Sequence, residues 1–232
     1  MKKLEELSLF LPAYNEEKNL ADTVERAVPI LKKVARKYEL LIINDGSRDN
    51  TGEIAEKLAQ KYPFVRVITH GSNQGYGVAL RSGFYASKYN WIAFTDSDGQ
   101  FDFSEIEKLI EKSDQADIVA GFRIDRQDPP LRRFFGRGWT FLANLLLGVR
   151  VRDVDCAFKL IKKEVIERIP RLQSTIGGAN PELLAKAVKE GFDIIEVGVH
   201  HYPRKDGKQT GGSLRAIFVS FIDLGKLWWQ LR

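Results

Sequence analysis

The sequence is poor in cysteine and has no long apolar run. Its 232 residues include one cysteine, Cys156, which excludes an internal disulfide framework and suits a reducing compartment. No stretch reaches the ~18 consecutive apolar residues that a membrane-spanning helix needs, and the first residues lack the apolar segment of a signal peptide. With 44% hydrophobic and 29% charged residues, the composition predicts a folded intracellular chain of one domain.

Two common nucleotide-binding motifs are also absent. The first apolar segment runs into Pro12-Ala13-Tyr14, where a dinucleotide site would need G-x-G-x-x-G. Gly75-Tyr76-Gly77 is followed by Leu80 at the position of the third glycine. Gly46 and Gly52 lack the spacing of a P-loop, and no Lys-Ser/Thr pair follows them. These absences exclude an NAD site of the usual kind and a simple ATPase.

The charge of the chain indicates an anionic partner. The net charge is +5 at pH 7 and the pI is about 9.2, which fits nucleic acid, anionic lipid or a phosphorylated substrate. Because no nucleic-acid recognition motif accompanies the charge, we expect no nucleic-acid partner.

Short apolar segments alternate with amphipathic ones. The predicted strands lie at 7–11, 40–43, 65–68, 91–95, 118–120, 158–161 and 194–200. The predicted helices lie at 19–37 with a kink or break at Pro29, at 51–62, at 75–88, at 104–112 with Ser104 and Glu107 as a capping box, and at 139–149, 182–189 and 216–231. This alternation predicts an α/β fold with a mostly parallel sheet flanked by helices.

Polar or glycine-rich clusters follow four of the predicted strands. They are Tyr14-Asn15-Glu16, Asn44-Asp45-Gly46, Asn73-Gln74-Gly75 and Asp96-Ser97-Asp98. Since open α/β sheets bind ligands beyond the carboxyl ends of their strands, these clusters predict one shared binding site.

The segment Asp96-Ser97-Asp98 is the sharpest chemical feature. In extended backbone, residues i and i+2 face the same side, so both carboxylates can reach one divalent cation. Oxygen ligands suit Mg²⁺ or Mn²⁺, and either ion can neutralise a diphosphate leaving group. The alternative is a solvated turn in which Asp98-Gly99 reverses the chain. The buried strand before the segment and the other polar strand ends favour the metal site.

Three further carboxylates have two interpretations each. Asp45 either accepts a hydrogen bond from a nucleoside or stands at a turn or helix start before Ser47. Glu16 either contacts a ligand or is a first-turn carboxylate favoured by the helix dipole. Glu182 either faces an acceptor or opens the helix that follows Pro181, and the second interpretation is slightly favoured.

Taken together, the ordered motifs resemble those of family-2 glycosyltransferases with the GT-A fold, over roughly residues 7–213. The motifs are residues 11–16 (LPAYNE), 44–51 (NDGSRDNT), 73–77 (NQGYG) and 96–100 (DSDGQ). The last form resembles the polyprenyl-phosphate branch, which includes dolichyl-phosphate mannose synthases. Two positions depart from that branch: Ala157 stands where glycine is usual, and Phe122 where serine is frequent.

The resemblance implies a nucleotide-sugar donor site in the first half of the chain. The donor, a GDP- or UDP-hexose, would be bound by Pro12, Tyr14, Glu16, Asp45, Gly75, Asp96 and Asp98. A Mg²⁺ or Mn²⁺ ion would be held by Asp96, Asp98 and Gln100.

It also implies a lipid monophosphate acceptor. The candidates for binding its phosphate, or the donor diphosphate, are Arg123, Arg133, Arg204 and Lys208. The implied catalytic residues are Asp98, Gln100 and Asp153. Asp153 would orient an arginine or the acceptor, because an acceptor phosphate that is already anionic needs no strong general base.

The sequence divides into three expected parts. Residues 1–122 would form a donor half and 123–214 an acceptor half of one GT-A domain. Residues 215–232 would form an amphipathic helix with interspersed tryptophans and basic residues, which either lies at a membrane interface or packs on protein. We therefore expect a peripheral protein at the cytoplasmic face of a membrane, held by that surface or by a membrane-protein partner.

The resulting interpretation is an inverting, metal-dependent hexosyltransferase, with mannose or glucose as the expected sugar and polyprenyl or dolichyl phosphate as the acceptor. Two alternatives stay open. One is a family-2 transferase acting on a glycan, and the other is a non-catalytic nucleotide-sugar-binding subunit.

Overall fold

The computed structural model describes residues 2–125, 130–204, 206 and 214–231, with the backbone alone at 130–132 and 214–218. In these ranges seven strands form one sheet: β1 (Leu4–Ala13), β2 (Ala35–Asn44), β3 (Val65–Thr69), β4 (Trp91–Thr95), β5 (Ile118–Ile124), β6 (Phe158–Lys162) and β7 (Ile194–His200). The strand order is β3-β2-β1-β4-β6-β5-β7.

Helices flank this sheet. Those of the described ranges are α1 (Leu20–Val34), α2 (Thr51–Lys61), α3 (Tyr76–Ala86), α4 (Ile106–Glu111), α5 (Pro130–Leu147), α6 (Lys163–Arg168), α7 (Ala179–Lys189) and α8 (Leu214–Gln230), with a 3-10 turn at Phe103–Glu105. The α/β architecture with a mostly parallel sheet and a C-terminal helix is confirmed. None of the helices in the described ranges is long and apolar enough to cross a membrane.

Strand β6 is the exception to the parallel arrangement. It pairs antiparallel with both β4 and β5, and Phe158 at its start lies opposite Thr95 at the end of β4. Because of this reversal, the segment before β6 lies at the same edge of the sheet as the segments after the parallel strands. Residues 153–157 thereby join the edge where the polar clusters were predicted.

The centre of the fold is apolar on both faces of the sheet. Strand β1 is buried over its last seven residues, which explains why the sequence shows a continuous apolar run there. The rings of Phe10, Phe84 and Phe94 pack together with centroids 4.9 to 5.4 Å apart. Gly83 lets α3 approach this cluster, because a Cβ at that position would lie 2.3 Å from the Phe10 ring.

Several predicted boundaries were wrong. Helix α1 ends at Val34, and residues 35–37 instead begin β2, because their backbone pairs with β1. Of the kink or break predicted at Pro29, the break does not occur, since α1 is continuous through this residue. The predicted capping box is also wrong, because Asp102 provides the cap by accepting a hydrogen bond from the Ser104 amide at 2.9 Å.

In the second half of the chain, helices are longer and more numerous than predicted. Helix α5 begins at Pro130, nine residues before the expected start at 139, since proline is well suited to the first turn of a helix. Helix α6 was not predicted. Helix α7 begins at Ala179, so Glu182 lies in its first turn but does not open it.

Candidate active site

Most of the predicted site residues that the structure describes lie at or beside one edge of the sheet. Strands β1, β2, β4 and β5 all end at that edge, and β6 starts there. The segments that follow the four strands therefore lie near the segment that precedes β6.

Asp45 organises the glycine turn before α3. Its carboxylate accepts hydrogen bonds from the backbone amides of Gln74 (3.0 Å) and Gly75 (2.9 Å), and it contacts Nδ1 of His70 at 2.7 Å. Gly75 has φ +99°, a conformation that favours glycine. The structure therefore brings together two of the predicted donor residues, Asp45 and Gly75. The Asp45 carboxylate holds the backbone of Gly75 through the hydrogen bond from its amide.

The loop at residues 173–175 packs against the same glycine turn. A Cβ on Gly75 would lie 2.3 Å from the Thr175 carbonyl oxygen, and one on Gly77 would lie 2.2 Å from that of Ser174. Glu182 supports this loop, because its carboxylate accepts hydrogen bonds from backbone amides at 173 and 174 and pairs with Lys186. Glu182 thus has a structural role, as the favoured interpretation of its position suggests, although it lies inside α7 and does not open it.

Glu16 and Asp98 share one guanidinium group. Arg204 Nη2 lies 2.5 Å from Glu16 Oε1, and Arg204 Nη1 lies 3.3 Å from Asp98 Oδ2. Burial raises the pKa of Glu16, and hydrogen bonds from Asn19 and Arg204 oppose the rise. The structure therefore places Arg204 with the donor-side carboxylates. Lys208, which the sequence grouped with it, lies outside the described residues.

Asp96 is the most perturbed acid of the site. Its pKa is raised to about 7, first because burial disfavours the charged carboxylate and second because the Asp98 carboxylate is close. The Tyr76 hydroxyl donates a hydrogen bond of 2.9 Å to Asp96 Oδ1, and Arg123 also favours the charged form.

Gln100 connects the Asp98 carboxylate to the exit of β7. Its backbone amide donates to Asp98 Oδ1 at 3.0 Å, and its side-chain Nε2 donates to the Tyr202 carbonyl at 3.0 Å. The Tyr202 amide returns a hydrogen bond to the Gln100 carbonyl at 2.9 Å. Gln100 thus orients Asp98 through the backbone.

Pro12 and Tyr14 lie at the exit of β1. The Pro12 carbonyl accepts a hydrogen bond of 2.7 Å from the Ser97 hydroxyl, which joins β1 to the residue between the two aspartates. Tyr14 is half-buried, and the next residue, Asn15, has φ +56°.

The carboxylate pair fits a divalent cation bound together with a diphosphate. Among the residues that the structure describes, no group of three or more acidic, histidine or cysteine side chains could hold a metal by itself. Mg²⁺ in nucleotide sites is bound by one or two carboxylates, with phosphates and water completing its shell. Two neighbouring carboxylates whose charges repel each other, as at Asp96 and Asp98, are a donor set of this kind.

On the β5 side, Arg123 and Asp153 form a bidentate ion pair. Arg123 Nε lies 2.6 Å from Asp153 Oδ2, and Arg123 Nη2 lies 2.7 Å from Oδ1. Both side chains are largely buried, and hydrogen bonding to Asp153 raises the pKa of Arg123 in spite of that burial. Asp153 therefore holds the planar guanidinium in one orientation.

A basic cavity of about 640 Å³ opens beside this pair. Arginines supply its positive charge: Arg123, Arg133, Arg137 and Arg152. The sequence identified the first two, whereas Arg137 and Arg152 were missed because only the fold brings α5 and the segment before β6 together. A second cavity of about 530 Å³ shares Arg152 with the first. It combines the apolar side chains of Phe141, Leu145, Val149 and Val151 with the polar ones of Asn144, Arg150 and Glu196.

Four other residues near the site were missed by sequence reasoning. They are Tyr76, Asp155, Lys159 and Asn180. Burial raises the pKa of Asp155 to about 6, and the Trp139 indole donates a hydrogen bond to it at 3.2 Å. One sequence signal for Lys159 was a charged residue inside an apolar strand pattern.

Solved structures define the class of fold. The chain is similar to glucosyl-3-phosphoglycerate synthase from Mycobacterium tuberculosis in complex with Mn²⁺, UDP and glucosyl-3-phosphoglycerate, with a TM-score of 0.69 and 19% identity over 98% of this chain and 77% of that one. A structure of the same enzyme with Mg²⁺ and UDP gives a TM-score of 0.71 and 18% identity over 95% and 80%. At this identity the likeness shows the fold alone, which is the GT-A fold.

Sequence relatives define the family. The model of glycosyl transferase family 2 matches residues 8–170, and the chain belongs to this family. Dolichyl-phosphate beta-glucosyltransferase of Homo sapiens is 32% identical over 95% of this chain and 73% of its own length. Undecaprenyl-phosphate 4-deoxy-4-formamido-L-arabinose transferase of Edwardsiella ictaluri is 29% identical over 95% and 67%. The resemblance to the polyprenyl-phosphate branch is thereby confirmed, and the family indicates a glycosyltransferase.

Proposed function

We propose that this protein is an inverting glycosyltransferase that moves a hexose from a nucleoside-diphosphate sugar to a polyprenyl or dolichyl phosphate. The observation that carries the proposal is that the carboxylates of Asp96 and Asp98 lie near a cavity lined by arginines. Thr95 at the end of β4 lies opposite Phe158 at the start of β6. The segment of Asp153, which holds Arg123, therefore starts at the same sheet edge where Asp96 follows β4. Arg123 also lines the basic cavity and favours the charged form of Asp96. A site for a metal-bound diphosphate therefore adjoins a site for a second phosphate. The names of the relatives support this pairing, since they specify dolichyl and undecaprenyl phosphate.

The donor would lie along residues 1–122, the donor half. Pro12, Tyr14 and Glu16 are the proposed contacts of the nucleoside, and Asp45 and Gly75 shape the turn beside it. Mg²⁺ or Mn²⁺ bound by Asp96 and Asp98, with Gln100 supporting them, would neutralise the leaving diphosphate. The similar synthase structures contain Mn²⁺ or Mg²⁺ with UDP, which supports a divalent ion here.

The acceptor phosphate would enter the basic cavity of residues 123–214, the acceptor half. Arg123 and Arg133 would bind its oxygens, and Asp153 would keep Arg123 in the orientation that bidentate binding requires. An oxygen of the phosphate forms the new bond to the anomeric carbon while the bond from that carbon to the diphosphate breaks. In-line attack inverts the configuration, and no proton has to be removed from the anionic nucleophile. Positioning and electrostatics therefore lower the barrier.

A membrane surface would present the acceptor. Helix α5 exposes large apolar side chains between its arginines, with Phe134 70% and Phe141 66% exposed. Helix α8 adds Trp229, while its Phe221 ring packs edge-on against Trp139 of α5. Aromatic and basic residues on one helix are typical of an interfacial helix. We propose peripheral attachment at the cytoplasmic face through this surface, with a membrane-protein partner as the other means of attachment.

The donor and metal assignments are tested by nucleotide titration. UDP, GDP and their common hexose derivatives are titrated calorimetrically into the protein with and without Mn²⁺. We expect one nucleotide series to bind at least about tenfold more tightly with the metal, and Asp98→Ala to lose this gain, because the metal links that carboxylate to the diphosphate.

Asp114→Ala is the matched control, since Asp114 is a surface residue paired with Lys2. It should retain the gain and the unfolding temperature of the parent chain. Binding of neither nucleotide would contradict the proposed donor. An equal metal gain in Asp98→Ala would contradict the metal assignment.

A further inference from the structure

Glu196 holds the backbone of the segment that precedes β6. It lies in β7, paired with Ala120 of β5. Its Oε1 and Oε2 lie 2.8 and 2.9 Å from the amide nitrogen of Arg152, and Oε1 lies 3.4 Å from that of Asp153. Residues 148–157 form neither helix nor strand. A side chain of the neighbouring strand therefore supplies the acceptor that these two amides require.

The two residues that Glu196 holds both line the basic cavity. The Asp153 carboxylate contacts Nε and Nη2 of Arg123 at 2.6 and 2.7 Å. The guanidinium group of Arg152 lies over the Phe122 ring, 4.8 Å from its centroid. Because Arg152 and Asp153 are adjacent in the chain, a displacement of their backbone would reorient two arginines of the cavity together.

The charge of Glu196 opposes the ligand that the basic cavity would bind. Its side chain is half-buried and lines the second cavity, which shares Arg152 with the basic one. A negative charge beside arginines weakens their attraction for a phosphate. Burial raises the pKa of Glu196, and the hydrogen bonds from the amides of Arg152 and Asp153 oppose the rise. Glu196 can therefore favour phosphate binding only through the backbone that it holds.

We propose that Glu196 is a positioning residue for the acceptor phosphate, which fixes the orientation of Arg152 directly and that of Arg123 through Asp153. This inference rests on the proposed function, in which the basic cavity binds that phosphate. A guanidinium group binds a phosphate through parallel N–H groups of fixed geometry, so a tilt of its plane weakens binding. Glu196 acts without touching the phosphate itself.

The inference is tested by calorimetric titration of farnesyl phosphate, a short polyprenyl monophosphate, in the absence and in the presence of Mn²⁺ with UDP or GDP. Glu196→Ala removes the acceptor of both amides, and we expect about ten- to a hundredfold weaker binding. Glu196→Gln retains an oxygen within reach of both amides and should recover most of the affinity. Glu196→Asp keeps the charge but withdraws the carboxylate by one methylene group, and it provides the same test if Glu196→Ala does not fold.

Asp117→Ala is the matched control. The Asp117 carboxylate also holds backbone, since it accepts a hydrogen bond of 3.0 Å from the Asp193 amide before β7 and pairs with Lys162 at 2.9 Å. This contact lies at the opposite edge of the sheet from the basic cavity. Asp117→Ala should lower the unfolding temperature and leave the affinity for farnesyl phosphate unchanged.

The sign of the effect separates positioning from electrostatics. Parent-like affinity in Glu196→Ala, or the tighter binding that loss of a negative charge alone would give, would overturn the inference and leave the proposed function standing. An equal loss of affinity in Asp117→Ala, or no recovery in Glu196→Gln, would overturn it as well. If the parent protein does not bind farnesyl phosphate under either condition, the proposed function fails together with the inference.

Discussion

At the scale of single residues, opposite charges are paired across segments that are distant in the sequence. Arg204 bridges Glu16 and Asp98, and Arg123 is held by both oxygens of Asp153. Each arginine thereby has a defined orientation before any ligand is bound. This preorganisation is what a site that stabilises developing phosphate charge requires, since little reorientation remains for the reaction itself.

Asp155 leads to a prediction about pH. Its pKa of about 6 in the folded protein is above the ordinary value of 3.8, so folding favours the protonated carboxyl. The contribution of this group to the free energy of unfolding therefore falls as pH rises from about 4 to about 6. In Asp155→Asn the side chain stays neutral, and the variant should gain stability over the parent across this interval, on the order of 1–3 kcal/mol.

Thermal or urea unfolding of the two proteins between pH 4 and 7.5 measures this difference. Other titrating groups are common to both chains and cancel in the comparison. A difference that does not change with pH would show that Asp155 does not titrate in this interval.

The sequence located individual site residues where strand ends carry polar clusters. Asp45, Asp96 and Asp98 lie where the alternation of strands and helices predicts, because the ends of parallel strands share one edge. Tyr76 and Lys159 were not predicted. Each contacts a partner on another segment, Asp96 and Asn180 respectively, and a single sequence contains no information on that pairing.

At the scale of secondary-structure elements, the reversed strand β6 determines the composition of the site. It places residues 153–157 beside the end of β4, so the Arg123–Asp153 pair adjoins the two aspartates. The apolar pattern of residues 158–161 predicts a strand but does not indicate its direction. The start of α5 was missed for a related reason, since a basic segment containing proline does not show a helical apolar period.

The contact of α3 with β1 leads to a prediction about stability. Gly83→Ala would place a Cβ 2.3 Å from the Phe10 ring, inside a cluster of three phenylalanines. The ring is confined by its neighbours, so we expect destabilisation by about 1–3 kcal/mol, more than the ~1 kcal/mol that alanine gains over glycine in a helix.

Urea unfolding monitored by circular dichroism measures this effect. Gly138→Ala in α5 is the matched control, because nothing lies within 4 Å of its Cβ position, and it should leave stability unchanged or raise it. A variant Gly83→Ala as stable as the parent would show that α3 shifts freely on the sheet.

At the scale of the whole molecule, charge and apolar exposure occur on the same side of the acceptor half. Helix α5 contributes arginines to the basic cavity and also exposes phenylalanines, and the second cavity shares Arg152 with the basic one. Part of the net charge of +5 is thus concentrated at the arginine-lined cavity, beside exposed apolar side chains. This combination suits a lipid phosphate in a membrane.

This arrangement predicts which surface binds vesicles. The double variant Phe134→Ser and Phe141→Ser should lower affinity for phosphatidylglycerol vesicles by tenfold or more, because burial of each phenylalanine stabilises attachment by about 1–3 kcal/mol. Co-sedimentation measures the effect. Tyr85→Ser on α3 is the control, and it should bind as the parent does. Undiminished binding of the double variant would mean that α5 does not contact the membrane.

The central claim, transfer of a hexose to a lipid phosphate, is tested most directly by following the sugar itself. Radiolabelled UDP- and GDP-hexoses are incubated with the protein, a polyprenyl phosphate and Mg²⁺ or Mn²⁺, and the label in the lipid fraction is counted, with an oligosaccharide acceptor in parallel. We predict labelled lipid with at least one of these donors and none after removal of the metal. Label on the oligosaccharide alone, or on neither acceptor with any common hexose donor, would contradict this account.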